Sequence, residues 1–505
     1  MRVLFVYPDL APDVTDYTGV VSYGIAALSA VLKQAGHEVR LFHMTSESSE
    51  GEFRERIGAT GADLVAFSTN SHYARRLLKW AAWTRSEADI PVAVGGVHAT
   101  VAPEKVYSSP DVAFTCIGEG ESALVELCRA LEEGHDPSSI ENFCVRNGTT
   151  IHKNPVRSRC QNLDELPNPD LSVFDFSRLY TVRYGMFPYI MSRGCAFDCS
   201  YCSAPALRRL SPGQGPFWRF LSPKRAANQL RELLARYMPE ARLVHFLDAI
   251  VFPERDWLAE FAPLYKEYVG KPFSCNLRPD FVSAEIAEIL RNMGCAVVRM
   301  GVESGDDEMT KNVLMRRLTI EDVRRAFAIL DEYGIERWSY NMVGLPGETL
   351  GRALKTVRLN AEMKPDLVLS FIFHPYPGTP LRELCARSGY LTDKECDHYT
   401  IGVTTQLPAF RPSDILFVQR FFVPLVKLYR FGQGWPKQLK HAWGGTLDFI
   451  LAGPLLPRKL VVYVWEGYKH LRHRMGEHLV RRSPRLYRML GGTAPAWQRL
   501  DGGTA

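Results

Sequence analysis

The 505-residue sequence has few cysteines for its length, and it shows neither an internal repeat nor a low-complexity tract. Its 11 cysteines do not form the dense disulfide framework of a small secreted domain. The opening run MRVLFVYP ends at a proline and lacks a small-residue cleavage site, so no secretory signal peptide is predicted. We therefore expect a cytoplasmic protein in a reducing environment, where clustered thiols more often bind metal.

Charge is unevenly distributed along the chain. Residues 411–505 contain 16 Lys and Arg against 5 Asp and Glu, whereas the preceding residues contain 45 against 51. Apolar residues make up 46% of the sequence and charged residues 23%, as in a folded protein of two or three domains. The C-terminal region is thus a basic appendage on a mildly acidic body.

Residues 1–150 alternate short apolar runs with amphipathic segments. RVLFVYP has the continuous apolar character of a strand buried on both faces, and SYGIAALSAVLKQAGHEV has apolar residues at helical spacing. This alternation predicts an α/β fold that begins with a doubly wound, Rossmann-like parallel sheet. Ligands of such sheets bind beyond the carboxyl ends of the strands. Small and polar residues stand at the predicted strand ends: Ser68, Asn70, Gly95, Gly96, His98 and the turn 118–121.

The rest of the chain divides into three further regions. Residues 151–184 are punctuated by proline and are predicted to form a linker. Residues 185–395 contain about six strand–helix units, which predicts a (β/α)6-type partial TIM barrel with its chemistry at the carboxyl ends of the strands. Residues 396–505 are predicted to form a helical, basic C-terminal domain.

Three cysteines stand close together in the stretch YIMSRGCAFDCSYCSAP: Cys195, Cys199 and Cys202. Thiolates are soft ligands suited to zinc or to iron–sulfur clusters. A structural zinc site would need a distant fourth ligand such as His245 or Cys275, and it usually uses a second paired-cysteine hook that this sequence lacks. The trio therefore favours a metal centre that the protein leaves one ligand short.

The CxxxCxxC spacing, with Tyr201 directly before the last cysteine, resembles the radical S-adenosylmethionine (SAM) family. The resemblance implies that Cys195, Cys199 and Cys202 hold a catalytic [4Fe–4S] cluster and that Tyr201 helps to form the SAM pocket. One iron is then left open, and the amino and carboxylate groups of SAM chelate it. One electron from the cluster cleaves the sulfonium and yields a 5′-deoxyadenosyl radical.

Four further stretches match this family in the correct order along the predicted barrel. Asp248 in HFLDAIVF and Glu303 in GVESG resemble its acidic strand-end positions, and Arg278 in NLRPD resembles a basic one. GLPGE, with Gly344 and Gly347, resembles the turn that packs on the adenine. The resemblance implies that these residues bind SAM.

The first domain resembles the cobalamin-binding module that is fused to one branch of the family. The matching stretches are YTGVVSYGIAALSAVLKQAGHEV, STNS, GGVHAT and GEGE. Glycines permit close backbone approach, and short polar side chains can bond the amides or the phosphate of a nucleotide tail. The residues implied to bind cobalamin are Thr18, Gly19, Ser68, Asn70, Ser71, Gly95, Gly96, His98, Gly118, Glu119 and Gly120.

The loop after the first strand departs from the histidine-ligated cobalamin motif Asp-x-His-x-x-Gly. It reads PDLAPDVTDYTG and contains no histidine, so cobalamin is expected to bind base-off without an axial histidine from this loop. We expect His98 to pack near the nucleotide rather than to ligate cobalt. A dinucleotide-binding sheet is the rival hypothesis for this domain, but the Gly-x-Gly-x-x-Gly turn is missing after the first strand.

The combined resemblance implies an enzyme that transfers a methyl group from methylcobalamin to an unactivated carbon of a small-molecule substrate. A ring contraction, cyclisation or other radical reaction without methyl transfer is the alternative, and a cobalamin-binding sensor with a degenerate barrel is a hypothesis of another class. A flavodoxin or ferredoxin is the expected electron donor. Mixed polar residues that could face a substrate are His245, Asn276, Arg299, Tyr340, Asn341, His374 and Tyr376.

Residues 421–465 interleave aromatic, proline and basic residues. Their longest apolar runs fall short of the roughly 18 residues of a membrane span, because prolines and cations interrupt them. The region could simply cover the open side of the barrel, make a peripheral membrane contact, or dock an acidic electron donor or an anionic substrate. No motif that reads nucleic acid is present, so no nucleic-acid partner is expected.

Overall fold

The fold is described from a computed structural model of the chain. The structure describes residues 1–11, 17–87, 89–210, 215–252, 254–392, 402–453, 456–465 and 467. Part of the first loop, residues 12–16, and the last part of the basic C-terminal region, residues 468–505, lie outside the described residues, although expectations for both were stated above.

Seven strands form the first sheet, in the spatial order β2-β1-β3-β4-β5-β6-β7. They are β1 (Arg2–Pro8), β2 (Glu38–Met44), β3 (Leu64–Ser68), β4 (Val92–Gly95), β5 (Phe114–Cys116), β6 (Phe143–Asn147) and β7 (Thr150–Lys153). The first five are parallel, and the last two add an antiparallel edge. The helices are α1 (Tyr23–Gln34), α2 (Glu50–Gly58), α3 (Ala74–Glu87), α4 (Val97–Val101), α5 (Pro103–Tyr107) and α6 (Glu121–Glu133). The strand order reverses beside β1, which is where doubly wound sheets bind ligands.

A six-stranded parallel sheet forms the second domain, in the order β15-β14-β13-β12-β11-β8. These strands are β8 (Met186–Tyr189), β11 (Leu243–Phe246), β12 (Phe273–Leu277), β13 (Cys295–Glu303), β14 (Glu336–Val343) and β15 (Leu367–Ile372). A short antiparallel pair, β9 (Ser192–Arg193) and β10 (Arg219–Phe220), follows the first of them. The sheet curls into a half-barrel, so the predicted α/β architecture with a partial barrel is confirmed.

Helices surround this half-barrel. They are α7 (Tyr180–Arg183), α8 (Ser203–Arg209), α9 (Pro223–Tyr237), α10 (Arg255–Tyr268), α11 (Ala284–Met293), α12 (Ile320–Glu332), α13 (Leu350–Met363) and α14 (Pro380–Arg387). The outward strand residue Phe246 packs against Phe261 and Tyr265 of α10, which leaves the alternate residues of the strand facing the barrel interior.

One continuous hydrophobic core joins the two sheets. It contains Phe5 and Ile25 of the first domain together with Phe187 and Val244 of the barrel. The Tyr23 hydroxyl of α1 also donates a hydrogen bond of 2.7 Å to the carbonyl of Pro188 on β8. The two domains therefore meet along a buried surface that fixes the ends of their strands relative to each other.

Two long helices, α15 (Pro412–Phe431) and α16 (Lys437–Ala452), cover the open edge of the barrel. Their inner faces pack against α13 and β15 in a separate core that includes Val357, Ile415 and Leu447. Among the residues that the structure describes, no helix has both the length and the apolar character needed to cross a membrane.

Candidate active site

The three predicted cluster cysteines lie in a loop of residues 194–202, which leaves β9 and ends at the start of α8. Ser200 anchors this loop to the barrel, since its amide and hydroxyl donate to the carbonyls of Leu314 and Val313 at 3.1 and 2.6 Å. The Cys202 sulfur accepts the Ala204 amide at 3.5 Å and caps α8. The loop is thus held in place at its centre and at its end.

The three thiols are close enough to influence each other's ionisation. Burial raises the pKa of Cys195, and it raises that of Cys202 to about 11, with further contributions from the neighbouring thiols. Cys199 receives a hydrogen bond of 3.7 Å from Arg278. Because a thiolate is the ligand form of cysteine, metal loading must release protons from this loop.

The structure gives no support to the zinc hypothesis. In the described part of the chain, no three His, Cys, Asp or Glu side chains converge as the ligands of one metal ion would. His245 lies against Arg299 and Ser274 instead, at 2.7 and 3.2 Å, and Cys275 is buried beside Cys295. Three thiols that each hold a different iron of a cluster do not need to converge on one point.

Glu303 ends β13 in a conformation that is rare for residues other than glycine, with φ at +64°. The register with β14 shifts at this position, which aims the side chain toward the cysteine loop. The Glu303 carboxylate accepts a hydrogen bond of 3.2 Å from the Tyr201 hydroxyl. Burial raises the pKa of Glu303, against the opposing effects of Arg316 and Tyr201. A carboxylate held this way can accept hydrogen bonds from the hydroxyl or amino groups of a ligand.

Arg278 packs against the cysteine loop from the side of β12. Its guanidinium lies 3.7 Å from the centre of the Phe197 ring, and it makes two hydrogen bonds of 2.9 Å to Asp280. The side chain is 6% exposed, so Asp280 neutralises a cation that would otherwise be buried alone. The arginine predicted to meet SAM therefore contacts the thiol of Cys199 directly.

Asp248 has a different surrounding from the other predicted SAM residues. It is fully buried and accepts hydrogen bonds from the Met191 amide, at 3.1 Å, and from the Ser192 hydroxyl. Burial raises its pKa to about 6 in spite of these bonds. Its carboxylate contacts the segment that leads into the cysteine loop, its backbone carbonyl accepts a hydrogen bond of 2.8 Å from Asn276, and neither group bonds Tyr201 or Glu303. In this structure Asp248 positions the loop.

Residues 344–348 form a tight loop after β14. Gly344 and Gly347 have φ values of +88° and +78°, which glycine adopts without strain. The Glu348 carboxylate accepts the amides of Gly344 and Leu345 at 2.6 and 3.1 Å, and its burial raises its pKa to about 8. Leu345 belongs to a buried cluster against which Tyr201 packs. The loop and the Tyr201–Glu303 pair therefore share one side of the site.

A cavity of about 400 Å³ lies between α1, the carboxyl ends of the first sheet, the linker and the barrel. We call it the glycine-lined cavity. Six of the eleven residues predicted to bind cobalamin line it: Ser68, Gly95, Gly96, Gly118, Glu119 and Gly120. A side chain at Gly96 would meet the Thr69 carbonyl at 2.6 Å, whereas the nearest neighbour of one at Gly24 of α1 would be the Ser22 hydroxyl at 3.9 Å. A cavity with a glycine-rich edge lets the nucleotide tail of a large cofactor approach the backbone.

The other five residues predicted to bind cobalamin lie elsewhere. A side chain at Gly19 would come within 2.3 Å of the ring of His43, so Gly19 is needed for packing against β2. The Thr18 hydroxyl is buried, and no described residue forms a hydrogen bond with it. Asn70 accepts the amide of His72 at 3.0 Å and shapes a turn.

Ser71 and His98 line a second, larger cavity of about 680 Å³ between the domains. They face each other, with 3.1 Å between the Ser71 hydroxyl and Nδ1 of His98. The opposite wall comes from the segment after β15 and includes His374 and Tyr376, whose hydroxyl lies 2.9 Å from Nε2 of His72. This cavity brings the strand ends of the two domains together.

Four charged residues connect the first domain to the cysteine loop; we call them the interdomain ion-pair network. Arg193 pairs with Glu121 at 2.5 Å and with Glu119 at 3.5 Å, while Arg219 pairs with Glu119. Although burial raises the pKa of Glu119, the arginines hold it below its usual value. Arg193 and Arg219 face each other across β9 and β10, and Cys195 follows two residues after Arg193. The GEGE turn is therefore tied to the start of the cysteine loop.

Sequence reasoning did not single out Arg193, Arg219, Arg316 or Glu348. Arg316 is 3% exposed, and it donates to the carbonyls of Gly301 and Val302 at 2.8 and 3.3 Å, directly below Glu303. Arg193 and Glu348 stood inside quoted motifs, SRGC and GLPGE, and their position beside a cysteine and a glycine turn was the available signal. No local pattern marks Arg219 or Arg316.

The polar residues considered for a substrate separate into two groups. His245, Arg299 and Tyr340 occupy alternate, inward positions of their strands, and Arg299 lies over the ring of Trp338. Asn341 instead accepts a hydrogen bond of 2.8 Å from Asn360 of α13 and donates one of 3.0 Å to the Leu369 carbonyl. Asn341 therefore holds α13 and β15 to the sheet and is not available to a substrate.

Two family models match the chain. A B12 binding domain matches residues 16–128, and the radical SAM superfamily matches residues 189–359. An uncharacterised methyltransferase of Pyrococcus horikoshii is 24% identical over 409 residues, which cover 79% of this chain and 86% of that protein. The anaerobic magnesium-protoporphyrin IX monomethyl ester cyclase of Rubrivivax gelatinosus is 25% identical over 407 residues, covering 75% and 69%.

Among solved structures, the radical SAM methyltransferase TsrM from Kitasatospora setae, with tryptophan and an aza analogue of SAM bound, shares the fold. Its TM-score is 0.62 at 19% identity, covering 77% of this chain and 76% of that one. Two adjacent domains, one that binds cobalamin and one that binds SAM at an iron–sulfur cluster, define a single class of enzyme. The chain combines a B12 binding domain with a radical SAM domain, as cobalamin-dependent radical SAM enzymes do, and it is similar to relatives named as methyltransferases and to one named as a cyclase.

Proposed function

We propose that the enzyme methylates an unactivated carbon of a small-molecule substrate. When bound, the cluster, SAM and cobalamin supply the electron, the hydrogen-abstracting radical and the methyl group. The observation that supports the proposal is that the glycine-lined cavity and the cysteine loop lie next to each other along the chain. Ser192 and Arg193 line the glycine-lined cavity, and the chain continues from them directly into the cysteine loop. Two cofactors whose sites share a strand can act on one substrate.

The residues divide the work of binding as follows. Cys195, Cys199 and Cys202 would hold the cluster, and Arg278 would offset the negative charge of the thiolates. Tyr201 and Glu303 would bind the polar part of SAM, while the loop of residues 344–348 would pack on its adenine. Burial of these groups keeps water away from the reacting atoms.

The glycine-lined cavity would receive the nucleotide tail of cobalamin. Since the sequence of the loop after β1 contains no histidine, we propose that cobalamin binds base-off, without an axial histidine from this loop. The larger cavity, between Ser71 and Tyr376, would then receive the substrate next to the cofactors. A flavodoxin or ferredoxin would deliver the electron.

The test is anaerobic reconstitution with cobalamin and SAM that carries a labelled methyl group. We expect deoxyadenosine and, on a substrate found by screening, a product that retains the label. Deoxyadenosine together with an unlabelled, cyclised or rearranged product would contradict methyl transfer and favour the chemistry named for the cyclase relative. Cobalamin binding without any cleavage of SAM would favour a sensor.

A further inference from the structure

The exposed apolar residues of this protein are concentrated in one region. Fifteen large apolar side chains are exposed in the described part of the chain, and ten of them lie between residues 423 and 464. They are Val423, Leu428, Phe431, Trp435, Leu439, Phe449, Ile450, Leu460, Tyr463 and Val464. We call these ten residues the C-terminal apolar surface. A concentration of this kind marks an interaction site, because exposed apolar residues are normally scattered.

Several side chains of this surface have most of their area exposed to solvent. Phe449 and Tyr463 are both 77% exposed, and Phe431 is 68% exposed. Phe431, Trp435 and Trp443 contact one another edge to face or tilted at the turn between α15 and α16, with ring centres 5.4–6.1 Å apart. Leu447 and Leu451 on the other face of α16 are buried. The helix therefore has one face for the core and an apolar outer face left to water.

Cations accompany these residues, and the nearby carboxylates are neutralised. Lys427, Lys437 and Lys459 are exposed within the same region. Of the carboxylates in the described residues beyond Arg411, Asp414 pairs with Arg458 at 2.7 Å and Asp448 with Arg358 at 2.8 Å. The 38 residues that follow Gly467 in the sequence add eight Lys and Arg against two Asp and Glu. The region is thus cationic as well as apolar.

We infer that the C-terminal apolar surface docks the enzyme on the surface of an anionic lipid bilayer. Aromatic and aliphatic side chains would enter the headgroup boundary while lysines contact anionic lipids. An acidic protein partner would match the lysines, but a single protein groove would not require ten apolar residues spread over two helices and the segment after them. The two helices would lie on the bilayer, since neither can span it.

Docking there would place the membrane beside the catalytic end of the barrel. Asp414, at the start of α15, pairs with Arg458, which precedes Leu460 and Tyr463 by a few residues. Ile415 in turn packs at the loop of residues 344–348, where a side chain at Gly344 would meet it at 3.2 Å. The inference does not depend on the proposed methyl transfer, because it concerns a surface outside the active site.

The experiment is vesicle flotation of the full-length protein. We expect it to float with phosphatidylcholine vesicles that contain phosphatidylglycerol, to float weakly with phosphatidylcholine alone, and to lose binding as salt is raised. Phe449→Ser with Tyr463→Ser should lower the partition coefficient by roughly tenfold or more, since two aromatic side chains no longer enter the bilayer. Lys427→Glu with Lys437→Glu should lower it by roughly tenfold on anionic vesicles only.

Leu384→Ser is the matched control, because Leu384 is an exposed leucine on α14, outside this region, and should leave flotation unchanged. The melting temperature of every variant is measured, and cofactor loading is not needed for the readout. Absence of flotation by the wild-type chain would overturn the inference. So would a dimer in solution that Phe449→Ser dissociates, because a second copy of the chain would then cover this surface.

Discussion

Both sheets of this enzyme have their predicted sites at the carboxyl ends of parallel strands, but the two sites are lined by different types of residue. At the barrel end, the site consists of buried ionisable groups: Glu303, Arg316 and Arg278 beside three thiols. At the first sheet, the glycine-lined cavity has a glycine-rich edge at the strand ends and otherwise mostly apolar walls, including Phe5, Tyr23 and Leu124, and its two carboxylates are paired with arginines.

The difference follows from what each site would bind. A cluster and a sulfonium are small, charged groups that need oriented charges close by, and burial strengthens those interactions at the expense of stability. A nucleotide tail is long and makes contact over a large area, so it needs shape and open backbone groups. The barrel site should therefore respond to changes of single atoms, whereas the glycine-lined cavity should respond to changes of volume or of its supports.

The largest effect is expected at the cysteine loop. Cys199→Ala removes a ligand that no neighbour can replace, so we expect loss of the iron–sulfur chromophore and of all SAM cleavage. Iron and sulfide analysis with the visible spectrum measures it. Cys128→Ala, a buried cysteine of α6 in the first domain, should keep a full complement of iron. Retention of a complete cluster by the Cys199 variant would exclude this loop as the cluster site.

Glu303 tests whether SAM affinity depends on a single atom of a barrel side chain. Glu303→Gln keeps the size of the side chain but leaves the buried Arg316 without its nearest carboxylate. We expect SAM affinity to fall by roughly 10- to 100-fold, or about 1.4–2.7 kcal/mol. Equilibrium binding of SAM to the reconstituted protein measures it, and Tyr201→Phe should lower the affinity less. Unchanged binding would mean that Glu303 only supports the barrel.

Glu348 tests how much folding stability the protein loses by burying a carboxylate in the barrel. Its pKa is raised from 4.5 to about 8, so the folded state takes up a proton and loses stability as the pH rises between these values. Glu348→Gln removes this dependence. We expect it to stabilise the protein by on the order of 1–3 kcal/mol at pH 9 and to have little effect near pH 5.

Thermal melting of both proteins across this pH range measures the effect of Glu348→Gln. Asp448→Asn is a suitable contrast, because Asp448 is a paired, partly exposed carboxylate whose loss should destabilise the protein instead. A Glu348 variant that is less stable than the wild type at every pH would show that the charged form is the favoured one.

The sequence was most informative where a function depends on neighbours along the chain. The cysteine spacing, the GLPGE turn and the alternation of strands and helices are local patterns, and the predicted doubly wound sheet and partial barrel are confirmed. Glu303 could also be predicted as a site residue, because the carboxyl end of a parallel strand can be located in the sequence. Its left-handed conformation was not, since that depends on the register shift with β14.

Contacts between distant residues could not be predicted in this way. Ser71 and His98 were grouped with Ser68 and Gly95 because they follow the same strands. The turn at Asn70 and the short helix α4 direct them into the larger cavity instead. The SAM-binding role of Asp248 stays a prediction, and its contacts with Met191 and Ser192 depend on the path of a loop that the sequence does not reveal. Arg193 and Glu121 are 72 residues apart, and only the assembled domains bring them together.

The smallest effect is expected in the interdomain ion-pair network, which supports the glycine-lined cavity without filling it. Arg193→Gln removes the pairs with Glu119 and Glu121 and shortens one lining side chain, but it leaves the other walls of the cavity in place. We expect cobalamin affinity to fall by roughly three- to tenfold, because the GEGE turn is no longer held against β9. Glu121→Gln removes only the pair with Arg193 and should lower the affinity less, and the double variant should be no worse than Arg193→Gln alone, since that change already removes the same pair.

Arg157→Gln is the matched control, because Arg157 makes a similar two-bond pair with Glu126, at 2.8 Å, away from the glycine-lined cavity. It should leave cobalamin affinity unchanged. Titration with cobalamin is made with the cluster present and absent. If the network couples the two sites, the loss caused by Arg193→Gln is larger when the cluster orders the cysteine loop, because the turn and the loop then support each other. An equal loss of cobalamin affinity with and without the cluster would contradict coupling between the two sites. So would an equal loss in the Arg157 variant, because the network would then contribute no more than other ion pairs.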